Sequence, residues 1–464
     1  MKRPLKPSLK RMMAVALGAT ALTGVLAVSG PAGADTLTDA LTAAYLTNPT
    51  LQAQRADLRA TDELVPQALS GWRPSLQAQG SVGRTKTDVT ATFSNSGIVD
   101  PRSASLTLNQ NLFAGGRTLN ATRQAESAVL AGREGLVGVE QQTLLAAVQA
   151  YMDVIRDEGV VGLNQNNVTV LRRQLEATQD RFRVGELTRT DVAQSEARLS
   201  QARSNLIAAE AQLTASRAFY ARVVGQAPGT LEKPSRVEGL PASEDAAREL
   251  AAQNNPTLEA ARHTEKATRQ GVSVAKGALL PSFDVQARYQ YGRDPSTTVR
   301  DVEESSILGV LTIPLYQSGT EYSRVREAKE INNRSRLEVA AAMRQVDETV
   351  RIAWEQLRAS QARIVSTGEQ VNASEIAVEG VRQESEVGAR TTLDVLDAEQ
   401  ELLNARVALV GAERDLAVAE YNLLAATGQL TARQLQLPVE YYAPEANYGE
   451  VRNKWIGFGT AGDE

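Results

Sequence analysis

Two periods of hydrophobic and polar residues divide this chain. Between 76 and 82, Leu76, Ala78 and Val82 interleave with Gln77, Gln79 and Ser81. Between 283 and 291, Phe283, Val285, Ala287, Tyr289 and Tyr291 interleave with Asp284, Gln286, Arg288 and Gln290. A period of 2 puts each set on one face of a strand. Return strands are predicted at about Ser103 to Leu112 and Ser306 to Leu315, the latter blurred by Leu308 and Val310 on its polar face. The connections, Thr85 to Arg102 and Gly292 to Glu304, are polar with Gly and Pro and read as solvent loops. Alternation alone fits half-buried hairpins on a soluble domain as well as strands in lipid, because the barrel-strand signal is weak.

Elsewhere the period is helical. Leu199, Ala202, Leu206, Ala209, Leu213, Ser216, Tyr220 and Val223 step by 3 and 4, as do Leu402, Ala405, Leu409, Ala412, Leu416, Ala419, Leu423 and Ala426. This is a heptad seam of alternating large and small side chains. Ahead of each seam runs a stretch of roughly 65 residues without Pro, or about 100 Å of helix at 1.5 Å per residue. A Gly turn (Gly115-Gly116; Gly319) separates each run from the strand before it. Opening helices are predicted at about Leu37 to Trp72 and Glu244 to Leu280, each broken near its start by Asn-Pro (Asn48-Pro49; Asn255-Pro256). An elongated coiled coil follows.

The two halves are copies. Asn48-Pro49-Thr50-Leu51 returns as Asn255-Pro256-Thr257-Leu258, and Pro74-Ser75 as Pro281-Ser282, at an offset of 207. From Asn111-Leu112-Phe113 and Pro314-Leu315-Tyr316 onward the offset is 203, and it holds through Gly225-Gln226 and Gly428-Gln429. The expected organisation is a first repeat over 35–229, a second over 230–428 and a tail over 429–464.

Between the long run and the seam each repeat carries a tip: Val184-Gly185-Glu186-Leu187-Thr188-Arg189-Thr190-Asp191, and Val387-Gly388-Ala389-Arg390-Thr391-Thr392-Leu393-Asp394. Gly can close the arriving helix in the left-handed conformation. The Thr-x-x-Asp that follows can cap the departing one.

Five basic residues (Lys2, Arg3, Lys6, Lys10, Arg11), an apolar run from Met12 to Val28 and Ala32-Gly33-Ala34 before Asp35 read as a cleaved export signal over 1–34. Five of the 50 basic residues and none of the 55 acidic ones lie there, leaving 45 against 55, a net −10. That balance argues against a nucleic-acid partner. With no Cys there is no disulfide or thiolate metal site. No later segment has the 18 or so apolar residues of a spanning helix. An exported chain of this kind is soluble or crosses a membrane as barrel strands. Four strands cannot close a barrel in lipid, where an open edge leaves backbone groups unsatisfied. Several chains must then share one barrel; two would give eight strands and a filled interior, three would give twelve and a lumen.

The order of elements, the duplication, the Val-Gly tips, Asp394-Val395-Leu396-Asp397 and the tail Tyr442-Ala443-Pro444-Glu445-Ala446-Asn447-Tyr448…Val451-Arg452-Asn453-Lys454-Trp455 together resemble the TolC family of outer-membrane efflux proteins. The resemblance implies a mainly α homotrimer with a twelve-stranded transmembrane β-barrel continuous with a long α-helical periplasmic tunnel. An equatorial band would be built from the Gln226–Ala242 linker and the C-terminal segment. It also implies an inner-membrane pump of RND or ABC type, reached through a periplasmic adaptor whose hairpins meet the tips, in the outer membrane of a Gram-negative bacterium. Outer-membrane lipid is then a partner, and no cofactor or metal is expected.

Asp394 and Asp397, at i and i+3, share a helix face. By resemblance they match acidic rings at the periplasmic entrance, where three copies would favour cations and raise each other's pKa. Asp394 is also placed to cap; Asp397 is not, and its counterpart in the first repeat is Gln194. By the same resemblance Arg390, Asp191 and Thr190 match positions whose hydrogen bonds and salt bridge keep the entrance closed; a solvated, functionally silent charge pair is the bland alternative. Ser385 stands where some members place a Tyr in that network, which implies a looser closed state. Val184, Gly185, Leu187, Val387 and Gly388 are the candidate adaptor contacts, with Leu187 expected to be exposed on the tip; turn formation alone also explains the glycines. His263 reads as a surface or packing residue. Two other classes compete. With one His, no Cys and no phosphate loop, nothing assembles a catalytic pocket for an enzyme. A soluble periplasmic coiled-coil adaptor would share the helices but has no need of duplicated alternating strands.

Overall fold

The computed structural model describes residues 36–88 and 96–460; the expected export signal, 1–34, lies outside them. The elements run α1 (Leu37–Thr47), α2 (Pro49–Asp62), α3 (Leu64–Leu69), β1 (Ser75–Val82), β2 (Thr85–Thr87), β3 (Gly97–Val99), β4 (Arg102–Ala114), α4 (Arg117–Arg183) and α5 (Arg189–Val224). The same order then resumes with α6 (Glu244–Asn254), α7 (Pro256–Gly277), β5 (Ser282–Arg293), β6 (Asp301–Thr312), α8 (Thr320–Glu386) and α9 (Thr392–Ala426), and a short α10 (Pro444–Val451) follows. Both α4 and α8 have 67 residues, about 100 Å each.

The sheet has the order β1-β4-β5-β6, antiparallel throughout, so the central β4–β5 pair joins the two repeats and β1 and β6 are left as edges. Its register lays out two unlike faces. One row runs Leu76, Leu108, Ala287, Ile307 and the next polar row Gln77, Thr107, Arg288, Ser306. A bulge after Asn111 takes up one residue and brings Phe113 opposite Phe283, which faces Leu311.

Two readings of the strands need correction. The final strand occupies Asp301–Thr312 rather than 306–315. Its acidic start looks like a loop but pairs with β5, where the Tyr289 hydroxyl donates to Glu303 (2.9 Å) and the Tyr291 hydroxyl to Asp301 (3.3 Å). The segment read as a plain solvent loop before Arg102 holds the β2–β3 hairpin, closed by Arg84 on Asp100.

The Asn-Pro breaks have a shared cause. Asn48 caps α2 through Thr50 N, and its Nδ2 donates to the Val223 carbonyl at 2.9 Å. Asn255 caps α7 and donates to the Ala426 carbonyl at 3.0 Å. One side chain thus starts a helix and satisfies the otherwise unpaired C-terminus of another. Gly225 and Gly428 follow those two carbonyl ends at φ 89° and 80°, and a Cβ on Gly428 would lie 2.3 Å from the Asn254 carbonyl oxygen.

The largest apolar core gathers α1, mid-α4, the end of α5 and the end of α9 with the chain at 430–442, around Tyr151 and Tyr220. The Tyr151 hydroxyl donates to the Glu232 carbonyl of the inter-repeat linker (2.7 Å). A second core packs α6 and α7 on α8 and α9. Away from these the helices run as two antiparallel hairpins, α4 with α5 and α8 with α9, held by narrow seams.

Candidate functional site

The two tips have one construction. After α4, Gly185 takes φ 86°; its amide bonds the Phe182 carbonyl (3.0 Å) and the Glu186 amide bonds the Arg181 carbonyl (2.9 Å). After α8, Gly388 takes φ 76°, its amide bonds the Ser385 carbonyl (3.2 Å) and the Ala389 amide bonds the Glu384 carbonyl (2.8 Å). This is the double closure of a helix end that needs a left-handed residue. Each departing helix opens with a reciprocal cap. Thr188 N and Oγ1 donate to Asp191 Oδ2 at 2.9 and 2.7 Å, and Asp191 N donates back to Oγ1. Thr391 and Asp394 repeat it at 2.9 and 2.8 Å.

These hydrogen bonds decide the electrostatics. The Thr188 hydroxyl, then its amide, holds Asp191 below the usual carboxylate range. The Thr391 amide, then its hydroxyl, does the same for Asp394, helped by the Arg390 charge. Within one protomer the cap thus holds Asp394 in its charged form.

Arg390 Nε donates to Glu384 Oε2 at 2.8 Å on its own hairpin, which raises the guanidinium pKa further. Arg390 and Asp191 are thus each engaged locally and are not brought together within a protomer; Thr190 is exposed on the first turn of α5. Asp397 is bonded by Arg198 Nη2 at 2.5 Å, a link from α9 to α5. Beside it Leu396 is buried among Val168, Leu171, Leu199 and Ala202 of the other hairpin. One apolar contact and one ion pair therefore tie the two hairpins together near their tips. Val184 and Val387 project, 73% and 81% exposed. Leu187, expected to be exposed, is half-buried because the chain has already turned back toward α5. Sequence reasoning missed Arg198 and Glu384. The available signal was asymmetry: Arg198 corresponds to Glu401 and Asp397 to Gln194, so both members of the pair change between repeats.

Among the described residues no group of three or more His, Cys, Asp and Glu could hold a metal ion, and no helix is long and apolar enough to cross a membrane. His263, half-buried on α7, has its pKa lowered chiefly by desolvation.

The outer membrane efflux protein family model matches residues 40–226 and 247–429. The chain belongs to that family. Outer membrane efflux protein BepC of Brucella suis is 39% identical over 448 residues, covering 96% of each chain. Outer membrane protein TolC of Vibrio cholerae is 26% identical over 423 residues, 88% of this chain and 94% of that one. Among solved structures, the Campylobacter jejuni CmeC outer membrane channel matches with a TM-score of 0.77 at 16% identity, over 90% of this chain and 89% of that one. As an outer membrane efflux protein, this chain is a channel component of the outer membrane with its helical part in the periplasm. The soluble-adaptor alternative is set aside by the same findings.

Proposed function

We propose that three copies of this chain close one twelve-stranded barrel and continue beneath it as a helical tunnel, through which a pump's substrates leave the cell. The observation that carries this reading is the open sheet. β1 and β6 are edges, and in lipid every unpaired edge group is costly, so each must meet the other edge of a neighbour. Twelve strands leave a lumen, whereas eight are filled by side chains. The row Gln77, Thr107, Arg288, Ser306 suits a wet lumen, and the row Leu76, Leu108, Ala287, Ile307 suits lipid.

The tips, about 100 Å from the strands, are the sites for a periplasmic adaptor. Val184 and Val387 supply two exposed apolar contacts, Gly185 and Gly388 the turns that present them, and Leu187 a packed support. The adaptor in turn joins an inner-membrane pump of RND or ABC type. At the entrance, Arg390 with Asp191 and Thr190 form the latch between neighbouring protomers, while Asp394 and Asp397 form acidic rings that favour cations. The intramolecular partners of Arg390 and Asp397, Glu384 and Arg198, compete with those contacts, so opening and closing exchange one set of ion pairs for another.

Planar-bilayer conductance tests the latch. Arg390→Ser, alone and with Asp191→Ala, should raise single-channel conductance; unchanged conductance in both removes the latch role. Recovery of the protein as a periplasmic monomer rather than an outer-membrane trimer would remove the channel reading itself.

A further inference from the structure

The C-terminal segment past α10 carries Trp455, Ile456 and Phe458, exposed by 65%, 91% and 102%. Such a run on a free chain end would be unremarkable, but this one is pinned. Arg73 Nη1 donates to the Lys454 carbonyl at 2.8 Å, and its guanidinium lies 5.1 Å from the centre of the Trp455 ring. Arg73 is two residues before the start of β1, and the adjoining Trp72 carbonyl accepts from Gln110 of β4 at 2.9 Å. Upstream, Asn447 donates to the buried Asp62 (2.7 Å) and Arg452 pairs with Glu126 (2.9 Å). The exposed apolar residues are therefore held at the level where the strands begin, near the start of β1, whose first apolar residue, Leu76, is itself 66% exposed.

We propose that residues 454–458 are an interfacial anchor seated in the periplasmic leaflet of the outer membrane, with phospholipid as the occupant; this rests on the reading that the strands cross that membrane. Two features select phospholipid. The segment is pinned to Arg73, two residues before β1, so a bilayer that reaches the start of that strand reaches it. Its chemistry is that of a membrane–water boundary: Trp at headgroup depth, apolar side chains beyond it, and the cations Arg73 and Lys454 alongside for lipid phosphates. In this family member, which has no Cys to carry a lipid, the tail gives each protomer a foothold beside its strands.

Only three Trp are present, Trp72, Trp354 and Trp455, so Trp72→Phe with Trp354→Phe leaves Trp455 as the sole reporter. The full chain is reconstituted in vesicles of phosphatidylethanolamine and phosphatidylglycerol whose acyl chains are brominated near the headgroup. Trp455 emission should shift to the blue relative to detergent-free amphipol and be quenched by the brominated lipid as strongly as a barrel-face reporter. That reporter is Leu106→Trp with all three native Trp replaced by Phe. Quenching of Leu106→Trp but not of Trp455 overturns the anchor and leaves the barrel standing. In that case quenching of Trp455 by aqueous acrylamide marks a solvated tail, and resistance to both quenchers marks a tail covered by a neighbouring protomer. Failure of both reporters to meet lipid overturns the barrel reading instead.

Discussion

Asp191 and Asp394 each accept two hydrogen bonds from the Thr three residues before them, so folding favours their charged forms. A carboxylate with a lowered folded-state pKa contributes stability above its unfolded value, about 3.9, and that contribution fades as pH falls through the lowered value. Amide protection factors at 188–192 and 391–395, referred to intrinsic exchange at each pH, should therefore fall on acidification below about pH 4, while the mid-helix seams stay protected. Thr188→Ala and Thr391→Ala should speed exchange at neutral pH and flatten that acid dependence. At the same scale Arg198→Ala should free Asp397, raising cation selectivity measured as reversal potential in a salt gradient; an unchanged potential would place Asp397 away from the conduction path. The caps were legible from Thr-x-x-Asp spacing alone. The partner of Asp397 was not, because a salt bridge between hairpins depends on how far each helix is rotated, which spacing within one helix does not encode; that of Arg390 lies across its own tip, where the turn and not a helical period sets the approach of Glu384.

The helical elements owe their ends to a few side chains that act on two helices at once. Asn48→Ala removes a cap and leaves the Val223 carbonyl without its partner, and Asn255→Ala does the same to Ala426. Each should lower stability by about 1–3 kcal/mol, read as an earlier denaturant midpoint with unchanged slope. Seam and strand periodicities were legible because one face of each is apolar. Legibility failed where another physical effect entered. Opening helix α1–α3 breaks again after Asp62, where α3 starts at Leu64 and its N-cap residue, Glu63, makes no side-chain cap. The acidic start of β6 belongs to the sheet because Tyr289 and Tyr291 hydrogen-bond it from the neighbouring strand. At the tips, Val184→Asp with Val387→Asp should abolish export while the assembly remains intact, since both side chains are exposed and the Gly turns are kept; loss of the assembly would make the tips structural only.

For the whole molecule, duplication and strand count announced an incomplete wall, but the packing of residues 430–442 against α1 and mid-α4 did not show in the sequence. Those contacts join positions 292 and 397 residues apart, such as the Ala432 amide and Glu140 (2.7 Å) or the Tyr442 amide and the Tyr45 hydroxyl (3.0 Å), and no periodicity reports them. The central claim is that β1 of one protomer pairs with β6 of the next until the ring closes. The chain has no Cys, so Gln79→Cys can be combined in turn with Glu304→Cys, Ser306→Cys or Leu308→Cys on the same face of the sheet. Oxidation of these variants in outer membranes should give, for at least one register, a denaturing-gel ladder that ends at three protomers. A ladder ending at two, or monomer alone in every register, would contradict the account.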